Sequence, residues 1–69
     1  MTDRSIRFGD NVAKARKAKG WTQLKLSLMA NVAKSYLSEV ETGKRNPTLN
    51  EMVKIADALG VSLQSLIDF

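Results

Sequence analysis

The stretch Thr22-Gln23-Leu24-Lys25-Leu26-Ser27-Leu28-Met29-Ala30-Asn31-Val32-Ala33-Lys34-Ser35-Tyr36-Leu37-Ser38-Glu39-Val40-Glu41-Thr42-Gly43-Lys44-Arg45-Asn46 decides the fold. Thr22 is a good N-cap, and Trp21 before it with Leu26 beyond forms a hydrophobic-staple pattern, so a second helix opens here. Asn31 is second only to glycine in tolerating a left-handed backbone and supplies a tight turn. Val32 and Leu37 repeat the staple, and a third helix is expected over Lys34 to Thr42, with Leu37, Val40 and Glu41 facing inward. Gly43 ends it, and the basic loop Lys44-Arg45-Asn46 follows.

Outward from that stretch, the remaining segments are apolar at helical spacing, and none alternates with the period of a strand. A first helix is expected from about Ser5 to Lys19, with Phe8, Val12 and Ala15 on one face and Gly20 as its C′ residue. Thr48-Leu49-Asn50-Glu51 matches a capping box and starts a fourth helix, whose inward face reads as Leu49, Met52, Val53, Ala56 and Leu59. Gly60 closes it. Ser62 caps a fifth helix, with Val61 and Leu66 as its staple. The expected architecture is all-α, five short helices around one core, with residues 1–69 as a single domain.

Composition limits what such a chain can do. Apolar residues make up 43 %, enough for a core and too many for a disordered tail. The chain has no cysteine and no histidine, which excludes disulfides, thiolate chemistry and the usual zinc ligands. No oriented base, metal set or phosphate-cradling glycine loop is present, so neither an enzyme nor a cofactor is expected. No apolar run approaches the roughly 18 residues of a membrane span, and no signal-peptide core opens the chain, so a cytoplasmic protein is expected.

Charge points to a partner. The net charge is +4, but residues 1–45 hold ten Lys or Arg against four Asp or Glu, while residues 46–69 hold one against three. A basic front and a mildly acidic back suit a protein that presents one side to a polyanion. Two helices crossing steeply through a short turn can place the second in a DNA major groove. Thr22 and Gln23 begin a helix whose free amides favour a phosphate. Lys34 opposes the dipole of its own helix, a conflict relieved if a polyanion or a guanine edge lies just beyond. Ser35 and Ser38 can touch base or backbone. Glu39 either accepts from a cytosine amino group or merely offsets the charge of Lys34. The Tyr36 hydroxyl either bonds a phosphate or packs at the junction of helices 2 and 3. Trp21 reads as a core plug, and Lys14, Lys17 and Lys19 as a general field.

Gly20-Trp21-Thr22-Gln23, Ser35-Tyr36-Leu37-Ser38, Glu41-Thr42-Gly43-Lys44-Arg45-Asn46-Pro47 and Ala58-Leu59-Gly60-Val61-Ser62 together resemble the Xre-type helix-turn-helix family of lambdoid phage repressors and restriction–modification controllers. The resemblance covers Phe8 through Leu66. It implies a lambda repressor-like DNA-binding domain with the third helix in the major groove. It further implies base contacts from Lys34, Ser35 and Glu39, with Ser38 beside them, and phosphate contacts from Thr22, Gln23, Lys44, Arg45 and Asn46, to which Tyr36 is added as a candidate on its hydroxyl alone. Arg16 and Glu41 match a structural ion pair joining helix 1 to the end of helix 3. Four positions depart from the pattern. Ala33 replaces the usual Ser or Thr cap, a loss of about 1 kcal/mol. Ser27 stands where alanine is usual, and Leu24 and Leu28 stand where polar residues are usual.

The expected function is therefore a sequence-specific transcriptional regulator, a repressor more readily than an activator, binding a palindromic operator on double-stranded DNA as a homodimer. Leu63, Leu66, Ile67 and Phe69 are the candidate dimer surface. The alternative is an antitoxin or other partner-binding module that uses an apolar patch at Leu24 and Leu28. RNA binding would call for aromatic platforms that the chain lacks.

Overall fold

The computed structural model describes residues 2–68, which form five helices: α1 (Asp3–Ala18), α2 (Gln23–Ala30), α3 (Lys34–Glu41), α4 (Leu49–Leu59) and α5 (Leu63–Ile67). Four of them start on a hydroxyl that accepts an amide of the first turn, from Thr2, Thr22, Thr48 and Ser62. At Thr48 the capping box is complete, with Glu51 accepting from the Thr48 amide at 2.9 Å. α3 begins at Ala33 with no side-chain cap bond. α1 starts two residues earlier than expected because Thr2 Oγ1 accepts from the Ser5 amide at 3.1 Å, which adds a first turn.

The first four helices stop in the same way. Gly20, Asn31, Gly43 and Gly60 take positive φ, and the next amide reaches back to a carbonyl five residues earlier. After α3, for instance, the Lys44 amide donates to the Glu39 carbonyl at 2.9 Å and the Gly43 amide to Val40 at 3.1 Å. Asn31 does this with φ 57° and ψ 47°, so the α2–α3 turn occupies only Asn31 to Ala33. Of the three glycines at these turns, Gly43 is the one with no room for a side chain: a Cβ there would lie 2.7 Å from Ile6 Cγ1.

Phe8 and Val12, Leu26 and Ala30, Leu37 and Val40, Ile55, Ala56 and Leu59, and Leu66 form one core, each at most 3 % exposed. Burial of each large side chain is worth about 1.5–3 kcal/mol, and with no covalent staple this cluster carries the stability. α1 lies against α3 and α5, and α2 against α3 and α4. Ser27 is buried at the crossing, its hydroxyl donating to the Leu24 carbonyl at 2.7 Å. Trp21 packs on the core edge, as expected of a plug.

Two expectations need correction. The buried stripe of α4 runs through Met52, Ile55, Ala56 and Leu59, while Leu49 is 63 % and Val53 39 % exposed. Apolar residues cover more than one face of this helix, and packing against α2 and α5 selects the stripe centred on Ile55. Leu66 is 2 % exposed and belongs to the core, so it has no surface to offer a second subunit. Its carbonyl accepts from Asn11 Nδ2 at 2.8 Å. Of the other proposed interface residues, Leu63 is half-buried, Ile67 is 41 % exposed, and Phe69 lies outside the described residues. Among the described residues no helix is long and apolar enough to cross a membrane.

Candidate nucleic-acid interface

α3 is short, and its orientation is set from behind. Leu37 and Val40 are fully buried, which turns Ser35 and Glu39, one helical turn apart, to the opposite side. Lys34 and Ser35 are exposed, and Ser38 and Glu39 half-exposed. These four residues share the outward part of the helix. At its far end, Glu41 is gripped by three donors. Arg16 Nε gives to Oε2 at 2.8 Å, Arg16 Nη2 to Oε1 at 3.0 Å, and Gln23 Nε2 to Oε1 at 3.0 Å. Arg16 Nη1 also donates to the Trp21 carbonyl at 2.8 Å. The two charged side chains are only 11 % and 5 % exposed, so this bidentate pair fastens α1, the start of α2 and the end of α3 to one another. The hydrogen bond to Glu41 raises the Arg16 pKa, and the guanidinium stays charged.

Gln23 therefore has a structural partner that sequence reasoning missed. One amide N–H is committed to Glu41, leaving its second for any other acceptor. Thr22 accepts from the Lys25 amide at 3.1 Å, and the free amides of the first turn of α2 open beside it. Lys19 Nζ and Lys25 Nζ sit 4.8 and 5.7 Å from the Trp21 ring, which brings two more cations to this helix start.

Tyr36 is placed differently from the phosphate-donor expectation. Its hydroxyl donates to Glu51 Oε1 at 2.6 Å, so that hydrogen is already used in tying α3 to the start of α4. Burial first, then the Glu51 hydrogen bond, pushes the Tyr36 pKa well above its ordinary value. The same bond holds the Glu51 carboxyl below the usual carboxylate range, helped by the Thr48 amide.

The basic loop is also less free than its sequence suggests. Asn46 Oδ1 accepts from Ser5 Oγ, which directs its amide nitrogen away. Lys44 is exposed and, among the described residues, bonds only through its backbone amide. Arg45 Nε donates to Glu39 Oε1 at 2.9 Å, and its guanidinium carbon lies 5.2 Å from the Tyr36 ring centre. The hydrogen bond to Glu39 raises the Arg45 pKa. Glu39 thus pairs with Arg45, six residues on, and not with Lys34. The clue was available: a helix that reverses at a left-handed glycine folds the following loop back over its last turn. The proposed contacts from Lys34, Ser35, Ser38, Glu39, Thr22, Gln23, Lys44, Arg45 and Asn46 still fall on α3, the start of α2 and the loop after α3.

A helix-turn-helix family model matches residues 12–66, four-fifths of the chain. The chain belongs to the Xre-type helix-turn-helix DNA-binding family. An uncharacterized HTH-type transcriptional regulator of Sinorhizobium fredii is 41 % identical over 59 residues, covering 86 % of this chain and 77 % of that protein. The control protein C.BamHI of Bacillus amyloliquefaciens is 38 % identical over 63 residues, covering 90 % and 78 %. Among solved structures, the restriction–modification controller C.AhdI of Aeromonas hydrophila superposes with a TM-score of 0.88 at 34 % identity, over 90 % of this chain and 94 % of that one. In this protein α2 and α3 form the helix-turn-helix, and its role is that of a DNA-binding regulator, not an enzyme.

Proposed function

We propose that this helix-turn-helix protein is a cytoplasmic transcriptional repressor or controller that binds a palindromic operator as a homodimer, with α3 of each copy in a major groove. Residues 1–69 act as one DNA-binding unit. Lys34, Ser35, Ser38 and Glu39 meet base edges, while Thr22, Gln23, Lys44 and Asn46 hold the backbone on either side, with Arg45 between them on Glu39. The observation that carries this reading is the exposed outer side of α3, braced by a buried Arg16–Glu41 pair and flanked by the Thr22-capped start of α2 and a basic loop. A short helix held that firmly, with its polar side outward, is what groove entry requires.

Relatives named as control proteins, and a solved restriction–modification controller of the same fold, support a controller role. One α3 reads only a few base pairs, so two copies on a two-fold site supply the rest. Ile67, exposed at the end of α5, and half-buried Leu63 remain candidates for the contact between copies.

Selection of bound duplexes from a random pool, followed by sizing of the complex, tests this reading. A two-fold symmetric consensus with half-site centres about 34 Å apart, held by two chains, is expected. No enrichment, or an asymmetric site held by one chain, would overturn it. A second reading rests on α2, where Leu24, Leu28 and Met29 are 52 %, 70 % and 53 % exposed. A protein partner on that patch fits an antitoxin-like role, and Leu28→Glu would then abolish partner capture while leaving operator binding intact.

A further inference from the structure

We propose that Arg45 is a specificity-determining positioning residue, holding the Glu39 carboxylate in place so that Glu39 can read a cytosine amino group beside the phosphates. The inference rests on the DNA-binding reading above and goes beyond it, because it removes Arg45 from the set of plain phosphate contacts.

A bare carboxylate on the outer side of α3 is repelled by every phosphate along the groove, so it hinders binding unless its charge is offset. The structure supplies the offset locally. Arg45 Nε bonds Glu39 Oε1 at 2.9 Å, and among the described residues no other side chain donates to this carboxylate. Oε2 is left as an acceptor, which is what the N4 amino group of cytosine requires.

Arg45 is itself held from two sides. Its guanidinium lies 5.2 Å from the Tyr36 ring centre. Tyr36 is fixed by its 2.6 Å bond to Glu51, whose carboxylate also accepts the Thr48 amide at 2.9 Å and so caps α4. The loop carrying Arg45 leaves α3 through the Gly43 turn, which the Lys44 amide closes on Glu39 itself. A chain of contacts thus runs from the start of α4 through Tyr36 and Arg45 to the proposed reading atom. The pair is about half exposed on both sides, 54 % and 46 %, so it contributes little to folding. Its placement on the reading side of α3 is where its effect falls.

Together the two side chains are neutral, which reverses a simple expectation. Loss of a phosphate-binding arginine weakens all sequences alike and flattens the salt dependence. Loss of Arg45 as a positioning residue instead frees a misaligned, unshielded carboxylate and erodes base preference at the column Glu39 reads.

The test is binding-site selection with the full chain and with Arg45→Ala, Arg45→Lys, Glu39→Gln and the Arg45→Ala/Glu39→Gln double variant, after thermal melts establish that all fold alike. Arg45→Ala and Glu39→Gln are expected to relax the same operator column by about five- to hundredfold, with no further relaxation in the double variant. Glu39→Gln is also expected to bind random duplexes more tightly than the parent. Arg45→Lys keeps its affinity for random duplexes while losing part of the preference, because an ammonium lacks the fixed Nε geometry. The inference is overturned if Arg45→Ala weakens all duplexes equally and leaves that column intact, or if Glu39→Gln alters no column. In either case the parent's own enrichment leaves the DNA-binding reading standing. A parent chain that enriches no sequence overturns both.

Discussion

Glu41 receives three side-chain hydrogen bonds from two other helical segments, and the direction of α3 depends on them. Removing Arg16 leaves a nearly buried carboxylate with only Gln23 for a partner. Arg16→Met is therefore expected to cost about 3–5 kcal/mol in urea or thermal unfolding, close to the whole stability of a domain this small. Arg16→Met combined with Glu41→Leu removes both charges and is expected to be the milder change. A single variant as stable as the parent would mean that the pair does not brace α3. Tyr36 and Glu51 carry a second, pH-dependent link. Glu51 has its carboxyl pKa lowered in the fold, chiefly by the Tyr36 hydroxyl, so the unfolded chain binds the extra proton first as pH falls. The stability from this bond is complete above the ordinary carboxylate pKa of about 4.3 and is lost as pH drops through the lowered value. Tyr36→Phe should lower the melting temperature at neutral pH, with the gap to the parent closing in acid. A gap that stays constant down to strongly acidic pH would contradict the Glu51 bond.

At the scale of elements, the tightest joint is between α1 and α3, and glycine makes it. A Cβ on Gly9 would lie 2.8 Å from the Glu41 carbonyl oxygen and 2.9 Å from its carbon, with the Val40 carbonyl nearer still. Helix propensity alone predicts that Gly9→Ala stabilises α1 by roughly 0.5–1 kcal/mol. The close approach predicts the reverse, a loss of about 1–3 kcal/mol from overpacking, measurable by denaturant unfolding. A stabilised Gly9→Ala would show that the two backbones are not so near. Helix starts and stops were legible in the sequence because they are local: Thr22, Thr48 and Ser62 cap amides within three residues, and Asn31 and Gly43 need only a left-handed backbone. Arg16 and Glu41 were legible through family resemblance alone. Gly9 carried a signal, a glycine in mid-helix, whose meaning only the partner helix reveals. The committed hydrogens of Gln23 and Tyr36, and the pairing of Glu39 with Arg45, depend on the third dimension. So does the choice of Ile55 over Val53 on α4, since both are apolar and only packing against α2 and α5 decides between them.

At the scale of the whole molecule, the fold sorts charge as well as bulk. The first 45 residues carry most of the cations, among them Arg16 and Lys17 in the last turn of α1, Lys34 at the start of α3, and Lys44 and Arg45 in the loop after it. The molecule measures 26 × 23 × 21 Å, small enough for two copies to stand side by side with their α3 helices one DNA turn, about 34 Å, apart. Each phosphate neutralised adds about 0.9 to the slope of log affinity against log salt, so the slope counts the backbone contacts made by Lys44, Asn46 and the start of α2. The most direct measurement is an NMR titration of isotope-labelled protein with the duplex recovered by selection. Amide shifts should change along Lys34 to Glu39, at Thr22 and Gln23, and across Lys44 to Asn46, with α4 unperturbed on its Leu49 and Val53 side. Changes confined to α4 and α5, or none at low ionic strength, would contradict an α3 that enters the groove.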